Sequence, residues 1–127
     1  MKKRRLQIVL LLLALAVQGF AAGVERLSVP SASMNKEIPV LVVLPDIALA
    51  SEGGDCPVVY LLHGYGGNAE TWLTVKPDLP QIADQKGIIF VCPDAQNSWY
   101  WDSPVDSAFR YETFVASELV GYIDLHR

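Results

Sequence analysis

Residues 58–68 of the sequence read VVYLLHGYGGN, and the class of fold can be inferred outward from them. Residues 58–62 form a continuous apolar run that predicts a β-strand, and residues 88–92 form a second such run. Strands without a polar side are buried on both faces, as in a parallel sheet that helices cover. The glycines after the first run predict a tight turn between a strand and a helix.

The sequence between the two apolar runs predicts a helix in two pieces. Residues 69–73 form a first turn behind Asn68, a candidate N-cap, and residues 79–86 form a longer piece. Asp78 can cap the second piece, and Gly87 can end it. Because a strand, a helix and a second strand make a crossover unit, the sequence predicts an α/β fold.

The residues before the first apolar run predict a β-hairpin and a loop. Residues 24–30 and 38–44 carry the strand patterns, and the chain is expected to turn near Asn35 and Lys36. The hairpin suits an antiparallel edge of the sheet. Residues 46–55 include two glycines and predict a flexible surface loop.

Residues 111–127 predict an amphipathic helix that lies on a sheet. Its apolar face consists of Tyr111, Phe114, Val115, Leu119, Tyr122 and Ile123. With the hairpin and the crossover unit, this helix completes the predicted fold class. That class is α/β, with a mostly parallel sheet, flanking helices and an antiparallel hairpin at its start.

The N-terminal residues predict a cleavable export signal. Residues 2–5 are basic, residues 6–17 are apolar apart from Gln7, and residues 21–23 are small. The apolar run is shorter than the about 20 residues that cross a bilayer, so cleavage is favoured over a stable membrane anchor. We expect a signal peptide at residues 1–23 and an exported, periplasmic or secreted domain from residue 24 onward.

Charge and composition exclude several classes of protein. The chain has 127 residues, and removal of the signal leaves six basic and fourteen acidic residues, a net charge of −8 instead of −4. Such an acidic surface repels phosphate backbones, so no nucleic acid partner is expected. Two cysteines cannot form a disulfide framework. Cys56 and Cys92 lie at opposite ends of the two predicted strands and are expected to stay free thiols.

The glycine-rich turn carries the first candidate for chemistry. Acyl transfer needs backbone N–H donors aimed at an oxygen that becomes negative, and a turn between strand and helix can supply them. We predict the Tyr65 N–H as such a donor, with Gly64 and Gly66 letting the backbone bend around a substrate. The alternative is that these glycines simply make a tight turn. His63 is expected to hold this loop by hydrogen bonds.

A second cluster follows the second predicted strand. Trp99, Tyr100 and Trp101 either wall a substrate pocket or pack over the core. Asp94 and Asp102 are expected to cap turns. The two histidines of the chain lie far apart without metal-ligand spacing, so neither a metal nor a cofactor is expected.

The sequence lacks a recognisable nucleophile. None of its serines lies in a G-x-S-x-G motif or follows a strand as the serine of a nucleophile elbow must. These serines are at positions 28, 31, 33, 51, 98, 103, 107 and 117.

Four segments together resemble a known family. VVYLLHGYGGN (58–68), VCPD (91–94), NSWYWD (97–102) and YETFVASELVGYID (111–124) are similar to the putative-esterase family of α/β-hydrolases. That family includes S-formylglutathione hydrolases (esterase D), feruloyl esterases, tributyrin esterases and mycolyltransferases. The resemblance implies a serine esterase that acts through an acyl-enzyme, with the Tyr65 N–H in the oxyanion hole.

The family's serine, acid and histidine match no position in this chain. We therefore expect an N-terminal fragment, cut before the nucleophile and inactive alone. The expected substrates are short-chain acyl esters or carbohydrate-linked feruloyl or acetyl esters. Two alternatives stay open: a non-catalytic exported carbohydrate-binding protein, and an acyltransferase of the mycolyltransferase type.

Overall fold

A computed structural model describes residues 23–50 and 56–126. The predicted signal peptide lies outside the described residues except for Gly23, and its prediction stays untested. Among the helices in the described ranges, none has the length and apolar character that a membrane crossing requires.

The described residues contain a four-stranded mixed sheet. Its strands are β1 (Val24–Ser31), β2 (Lys36–Val43), β3 (Val58–Tyr60) and β4 (Ile89–Pro93), in the spatial order β1-β2-β4-β3. β2 pairs antiparallel with both β1 and β4, whereas β3 and β4 are parallel. The predicted hairpin and the predicted parallel crossover are both confirmed.

The two strands of the crossover differ in burial. Every residue of β4 is buried, as predicted. The prediction that residues 58–62 are buried on both faces is wrong, since Val59 is 37% exposed and Leu62 is 41% exposed. Within the described residues β3 pairs only with β4, so its other edge has no strand beside it.

The segment predicted as a loop at residues 46–55 begins with a helix, α1 (Asp46–Ala50), and residues 51–55 lie outside the described residues. The Pro45 carbonyl accepts hydrogen bonds from the Ala48 and Leu49 N–H groups and so starts the first turn. The serine and glycines at residues 51–54 suggested a loop for the whole segment. The residues before them have higher helix propensity and form α1.

Two helices lie between β3 and β4, α2 (Thr71–Val75) and α3 (Leu79–Lys86). α2 begins two residues later than predicted, because the Asn68 side chain accepts a hydrogen bond from the Glu70 N–H and closes a turn before the helix. α3 has the predicted bounds, and Gly87 ends it in the left-handed conformation with a φ of 63°.

The N-cap predicted for α3 lacks its side-chain hydrogen bond. Asp78 occupies the N-cap position but makes no side-chain hydrogen bond to the helix. Its carboxylate instead forms an exposed ion pair with Lys76, at 3.0 Å. An aspartate with a nearby lysine can satisfy its charge without turning toward the helix.

The predicted C-terminal helix is present and contains a π-helical segment. α4 (Tyr111–Thr113) leads into the π-helix Phe114–Leu119, which continues as α5 (Val120–His126). A π-helix closes i→i+5 hydrogen bonds, so residues five apart lie nearly above one another. This geometry buries both Phe114 and Leu119, which an uninterrupted α-helix would place about 140° apart around its axis, at the two sides of the predicted apolar face.

Apolar side chains form a core on each face of the sheet. The first core packs the helix at residues 111–126 against one face, and the second packs α3 against the other. The cysteines stay free, as predicted, with Cys92 buried and Cys56 half-buried. Burial raises the pKa of the Cys92 thiol to about 11, so it stays protonated at neutral pH.

Glu118 ties the π-helix to the hairpin. Its carboxylate accepts hydrogen bonds from the Ser31 hydroxyl at 2.7 Å, the Ser33 hydroxyl at 2.8 Å and the Ser33 N–H at 3.0 Å. Burial alone would raise the pKa of Glu118, but these hydrogen bonds outweigh burial and lower the pKa below its ordinary value. The ionised carboxylate therefore stabilises the folded state.

We predict that Glu118→Gln destabilises the full-length protein by about 1–2 kcal/mol at neutral pH, because the amide cannot accept all three hydrogen bonds. A lowered pKa stabilises the fold above the unfolded-state pKa and loses that effect as the pH falls through the folded-state value. In chemical denaturation the difference between the two proteins should therefore shrink as the pH falls from neutral through the range in which carboxyl groups become protonated. A difference that stays constant over this range contradicts the assignment.

Candidate active site

Two loops meet at one edge of the sheet. The glycine loop, residues 63–68, follows β3, and the aromatic loop, residues 94–102, follows β4. Because β3 and β4 are parallel, both loops leave from the carboxyl ends of their strands, where α/β proteins bind ligands. The structure therefore brings together the two clusters that the sequence singled out.

His63 joins the two loops from within the protein. Its ring is buried, and Nε2 accepts a hydrogen bond from the Ala95 N–H at 2.9 Å. Nδ1 lies 2.7 Å from the Gly64 carbonyl oxygen, which can only accept, so Nδ1 carries the proton. Both ring nitrogens are thus occupied in a neutral imidazole. His63 holds the loop, as the sequence predicted, and has no free nitrogen for proton transfer.

The hydrogen bonds to the Gly64 carbonyl also fix the direction of the Tyr65 N–H. The Gly64 oxygen accepts from His63 Nδ1 and, at 3.0 Å, from the Gly67 N–H. In a trans peptide the C=O and N–H groups point in opposite directions, and the described residues contain no cis peptide. Among these residues none accepts a hydrogen bond from the Tyr65 N–H. This donor is therefore oriented and unused.

Gly67 fits this arrangement only as a glycine. A Cβ at this position would lie 2.9 Å from His63 Nδ1 and 2.8 Å from Thr71 Oγ1. Contacts this short do not occur at real Cβ atoms, so a side chain would displace the imidazole. The glycines therefore make a tight turn, and the same turn orients the Tyr65 N–H.

The Tyr65 and Trp99 side chains form an exposed aromatic pair. Their rings stack with centroids 5.6 Å apart, and their exposed fractions are 72% and 75%. Trp99 has a φ of 56° in the left-handed region, which bulky residues rarely adopt. Such backbone strain is concentrated at functional sites and needs support from the surrounding structure.

Tyr100 supplies that support. It also has a φ of 56°, its N–H donates to the Ser98 hydroxyl at 3.1 Å, and its own hydroxyl donates to the His63 carbonyl at 2.5 Å. Burial raises the pKa of the Tyr100 phenol to about 12, so the phenol stays a donor at neutral pH. Tyr100 thus fastens the aromatic loop to the strand end that carries the glycine loop.

A small cavity of about 70 Å³ lies between the loops. Of the predicted site residues, Gly64, Tyr65, Trp99 and Tyr100 line it, and Gly66 lies next to it through a hydrogen bond to Asn97. Trp101 is outside this lining and half-exposed. The remaining lining residues are His63, Gln96 and Asn97.

A larger cavity of about 470 Å³ lies over β1 and β2, and its lining includes Arg26, Leu41 and Glu70. It contains none of the predicted site residues. We place the candidate site at the smaller cavity, because the oriented and unused Tyr65 N–H is there.

Asp94 caps a turn, as predicted, whereas Asp102 does not, since its partner Thr113 lies eleven residues along the chain in the first turn of the C-terminal helix. Asp94 accepts a hydrogen bond from the Gln96 N–H at 2.9 Å, and Asp102 accepts from the Thr113 N–H at 3.0 Å and from the Thr113 hydroxyl. The hydrogen bonds from Thr113 lower the pKa of Asp102. Asp102 therefore ties the aromatic loop to the start of the C-terminal helix.

The sequence profile of the family described as "Putative esterase" matches residues 31–127. The chain belongs to this esterase family. It is 32% identical over 114 residues to the diacylglycerol acyltransferase/mycolyltransferase Ag85A of Mycobacterium tuberculosis, a match that covers 82% of this chain and 31% of that protein. The chain thus spans about a third of the length of the curated relatives it matches.

Solved structures of the esterase family agree with the fold. The chain superimposes on MPT51 of Mycobacterium tuberculosis with a TM-score of 0.66 and 27% identity, over 82% of this chain and 36% of that one. A ferulic acid esterase gives the same TM-score and identity, over 82% of this chain and 44% of that one. The predicted α/β-hydrolase fold is confirmed.

Sequence reasoning did not single out Asn97 in this candidate site. Asn97 accepts a hydrogen bond from the Gly66 N–H at 2.7 Å and joins the two loops directly. The residues lie 31 positions apart, so no local pattern pairs them. Only the short segment NSW beside the predicted aromatic cluster could have drawn attention to it.

Proposed function

We propose that this chain is the N-terminal part of an exported serine esterase that hydrolyses carboxylic esters through an acyl-enzyme. Residues 1–23 act as its export signal, and residues from 24 onward form the first portion of its catalytic domain. The observation that carries the proposal is the Tyr65 N–H, oriented by two hydrogen bonds to the neighbouring carbonyl and itself unused. Membership of the esterase family supports it.

In the proposed reaction a serine outside these residues attacks the ester carbonyl carbon. The electron pair of the C=O bond moves to the oxygen, which becomes an oxyanion beside the Tyr65 N–H. The proton of the serine hydroxyl passes to a base outside these residues. Collapse of the intermediate breaks the ester C–O bond, and the departing alkoxide takes up that proton and leaves as the alcohol, with the acyl group on the serine. Water then attacks the acyl-enzyme by the same route and releases the acid and the free serine. One preorganised donor of this kind contributes about 10²–10³-fold to kcat.

The proposed substrates are short-chain acyl esters or carbohydrate-linked feruloyl or acetyl esters. The exposed Tyr65–Trp99 pair supports them, because an open aromatic surface beside the donor can stack on a sugar or phenolic ring. The likeness to a structure titled ferulic acid esterase points the same way. An acyltransferase is the second candidate, supported by the 32% identity to a protein named as an acyltransferase.

The proposal predicts that the full-length protein hydrolyses p-nitrophenyl acetate and that a fluorophosphonate adds to one serine, seen as a single mass increase. Replacing that serine by alanine should abolish both. Ser117→Ala is the matched control, since Ser117 is exposed on the C-terminal helix and should change neither. A protein without labelling or turnover contradicts the esterase and favours the non-catalytic carbohydrate-binding alternative.

The same assay separates hydrolysis from acyl transfer. With an added alcohol, an esterase releases mainly acetate, whereas an acyltransferase forms mainly the new ester, measured by mass spectrometry. Dominance of the new ester at low alcohol concentration would contradict hydrolysis as the main activity.

A further inference from the structure

Residues 64–67 form a β-turn whose type is fixed by Gly66. The Gly67 N–H donates to the Gly64 carbonyl, which is the hydrogen bond of a β-turn, and Gly66 has a φ of 81°. Tyr65, at the second position, has a negative φ, so the positive value at the third position defines a type II turn, whereas a type I turn has a φ near −90° there. The two types differ by a flip of the central peptide, here the one between Tyr65 and Gly66.

Asn97 holds that central peptide. Its side-chain oxygen accepts a hydrogen bond from the Gly66 N–H at 2.7 Å, and it comes from the loop after β4. Both Asn97 and Tyr65 line the small cavity. The hydrogen bond therefore turns the N–H of the central peptide toward the aromatic loop.

The orientation of this peptide matters for an oxyanion. Because C=O and N–H point in opposite directions in a trans peptide, the Tyr65 carbonyl points away from Asn97. A flip to the type I turn would direct this carbonyl oxygen toward the aromatic loop and the cavity. Its partial negative charge would then oppose the negative charge that develops on a substrate oxygen beside the Tyr65 N–H.

We propose that Asn97 is a positioning residue that keeps the glycine loop in the type II turn and the Tyr65 carbonyl turned away from the oxyanion. The inference rests on the proposed esterase function. Asn97 acts here through Gly66 and not by contact with the reacting atoms.

The inference predicts that Asn97→Leu lowers kcat of the full-length esterase about tenfold and leaves KM unchanged. A tenfold loss corresponds to about 1.4 kcal/mol, the effect of losing one hydrogen bond. Asn97→Asp keeps an acceptor oxygen of the same reach and should restore most of kcat. Since Asn97 is exposed and at most one hydrogen bond is lost, both variants should unfold within a few degrees of the wild-type temperature.

Gly66→Ala tests the turn independently of Asn97. A Cβ on Gly66 meets no atom within 4 Å, so the substitution acts only through the disfavoured φ of 81°. It should lower kcat by a similar factor. The double variant should lose less than the product of the two single losses, because both changes release the same turn.

Two results would overturn the inference. One is an unchanged kcat in Asn97→Leu, whether or not KM rises, and the other is a fully multiplicative loss in the double variant. An increase in KM alone would make Asn97 a substrate contact. These outcomes are distinct from failure of the esterase function, because an inactive and unlabelled wild-type protein in the same assay would overturn that function instead.

Discussion

Replacing Tyr65 by proline is expected to lower kcat for p-nitrophenyl acetate by about 10²–10³-fold in the full-length protein, because proline has no backbone N–H. The change should leave the loop intact. Tyr65 is the second residue of the type II turn, a position where proline is common, and its N–H has no acceptor among the described residues. Because proline also removes the aromatic ring, the contribution of the donor is the loss beyond that of a variant that lacks the ring and keeps the N–H.

Tyr65→Ala is the matched control for this experiment. Alanine removes the aromatic ring and its stacking on Trp99 but keeps the N–H, so kcat should stay within a few-fold of the wild type. An equal loss in both variants would assign the effect to the side chain. A proline variant with wild-type kcat would exclude the Tyr65 N–H from the oxyanion hole.

The largest expected effect on stability comes from Phe114→Ala. Phe114 is fully buried in the first core, where the π-helix turns it toward the sheet together with Leu119. Truncating a buried phenylalanine removes its transfer free energy and leaves a cavity, which costs about 3–5 kcal/mol. Urea denaturation of the full-length protein measures this difference.

Val105→Ala is the control, because Val105 is 93% exposed and its truncation should change the free energy of unfolding by less than about 0.5 kcal/mol. A loss below about 1 kcal/mol for Phe114→Ala would contradict the placement of this residue in the core. It would then also question the π-helical geometry that directs the side chain inward.

Much of the fold follows from local sequence signals. The apolar run at β4 predicts a buried strand because no residue in it could face water, and Gly87 ends α3 because glycine tolerates the left-handed conformation. The hairpin was predictable because alternation in β1 matches a strand with one buried face. In each case the signal lies within the element itself.

The failures arise where a neighbour decides the outcome. The half-exposure of β3 depends on which strands pair with it, and its apolar sequence resembles that of a buried strand. The π-helix was not predicted, since Phe114 and Leu119 both fit the broad apolar face of an ordinary α-helix, and that pattern does not mark the wider turn between them. The Asp78 carboxylate pairs with Lys76 and makes no hydrogen bond to the helix N–H groups. N-cap preferences do not take account of such a competing ion pair.

In the candidate site, too, local sequence signals could be predicted and contacts between distant residues could not. Tyr65 and His63 could be singled out as candidates from their positions after a predicted strand and in a glycine-rich turn. The contact between Asn97 and Gly66 depends on the register of β3 against β4 and is invisible in either loop alone. Trp99 lines the small cavity and Trp101 does not, because residues of the aromatic loop adopt the left-handed conformation. None of these residues is a glycine, so the sequence does not indicate this conformation.

The central claim is that the Tyr65 N–H binds the oxyanion. A crystal structure of the full-length protein after reaction with a fluorophosphonate tests it most directly, because the phosphonyl oxygen occupies the position of the oxyanion. The account predicts this oxygen at about 2.7–3.1 Å from the Tyr65 nitrogen. An adduct whose oxygen is bound by other donors, beyond hydrogen-bond distance from Tyr65, would contradict it.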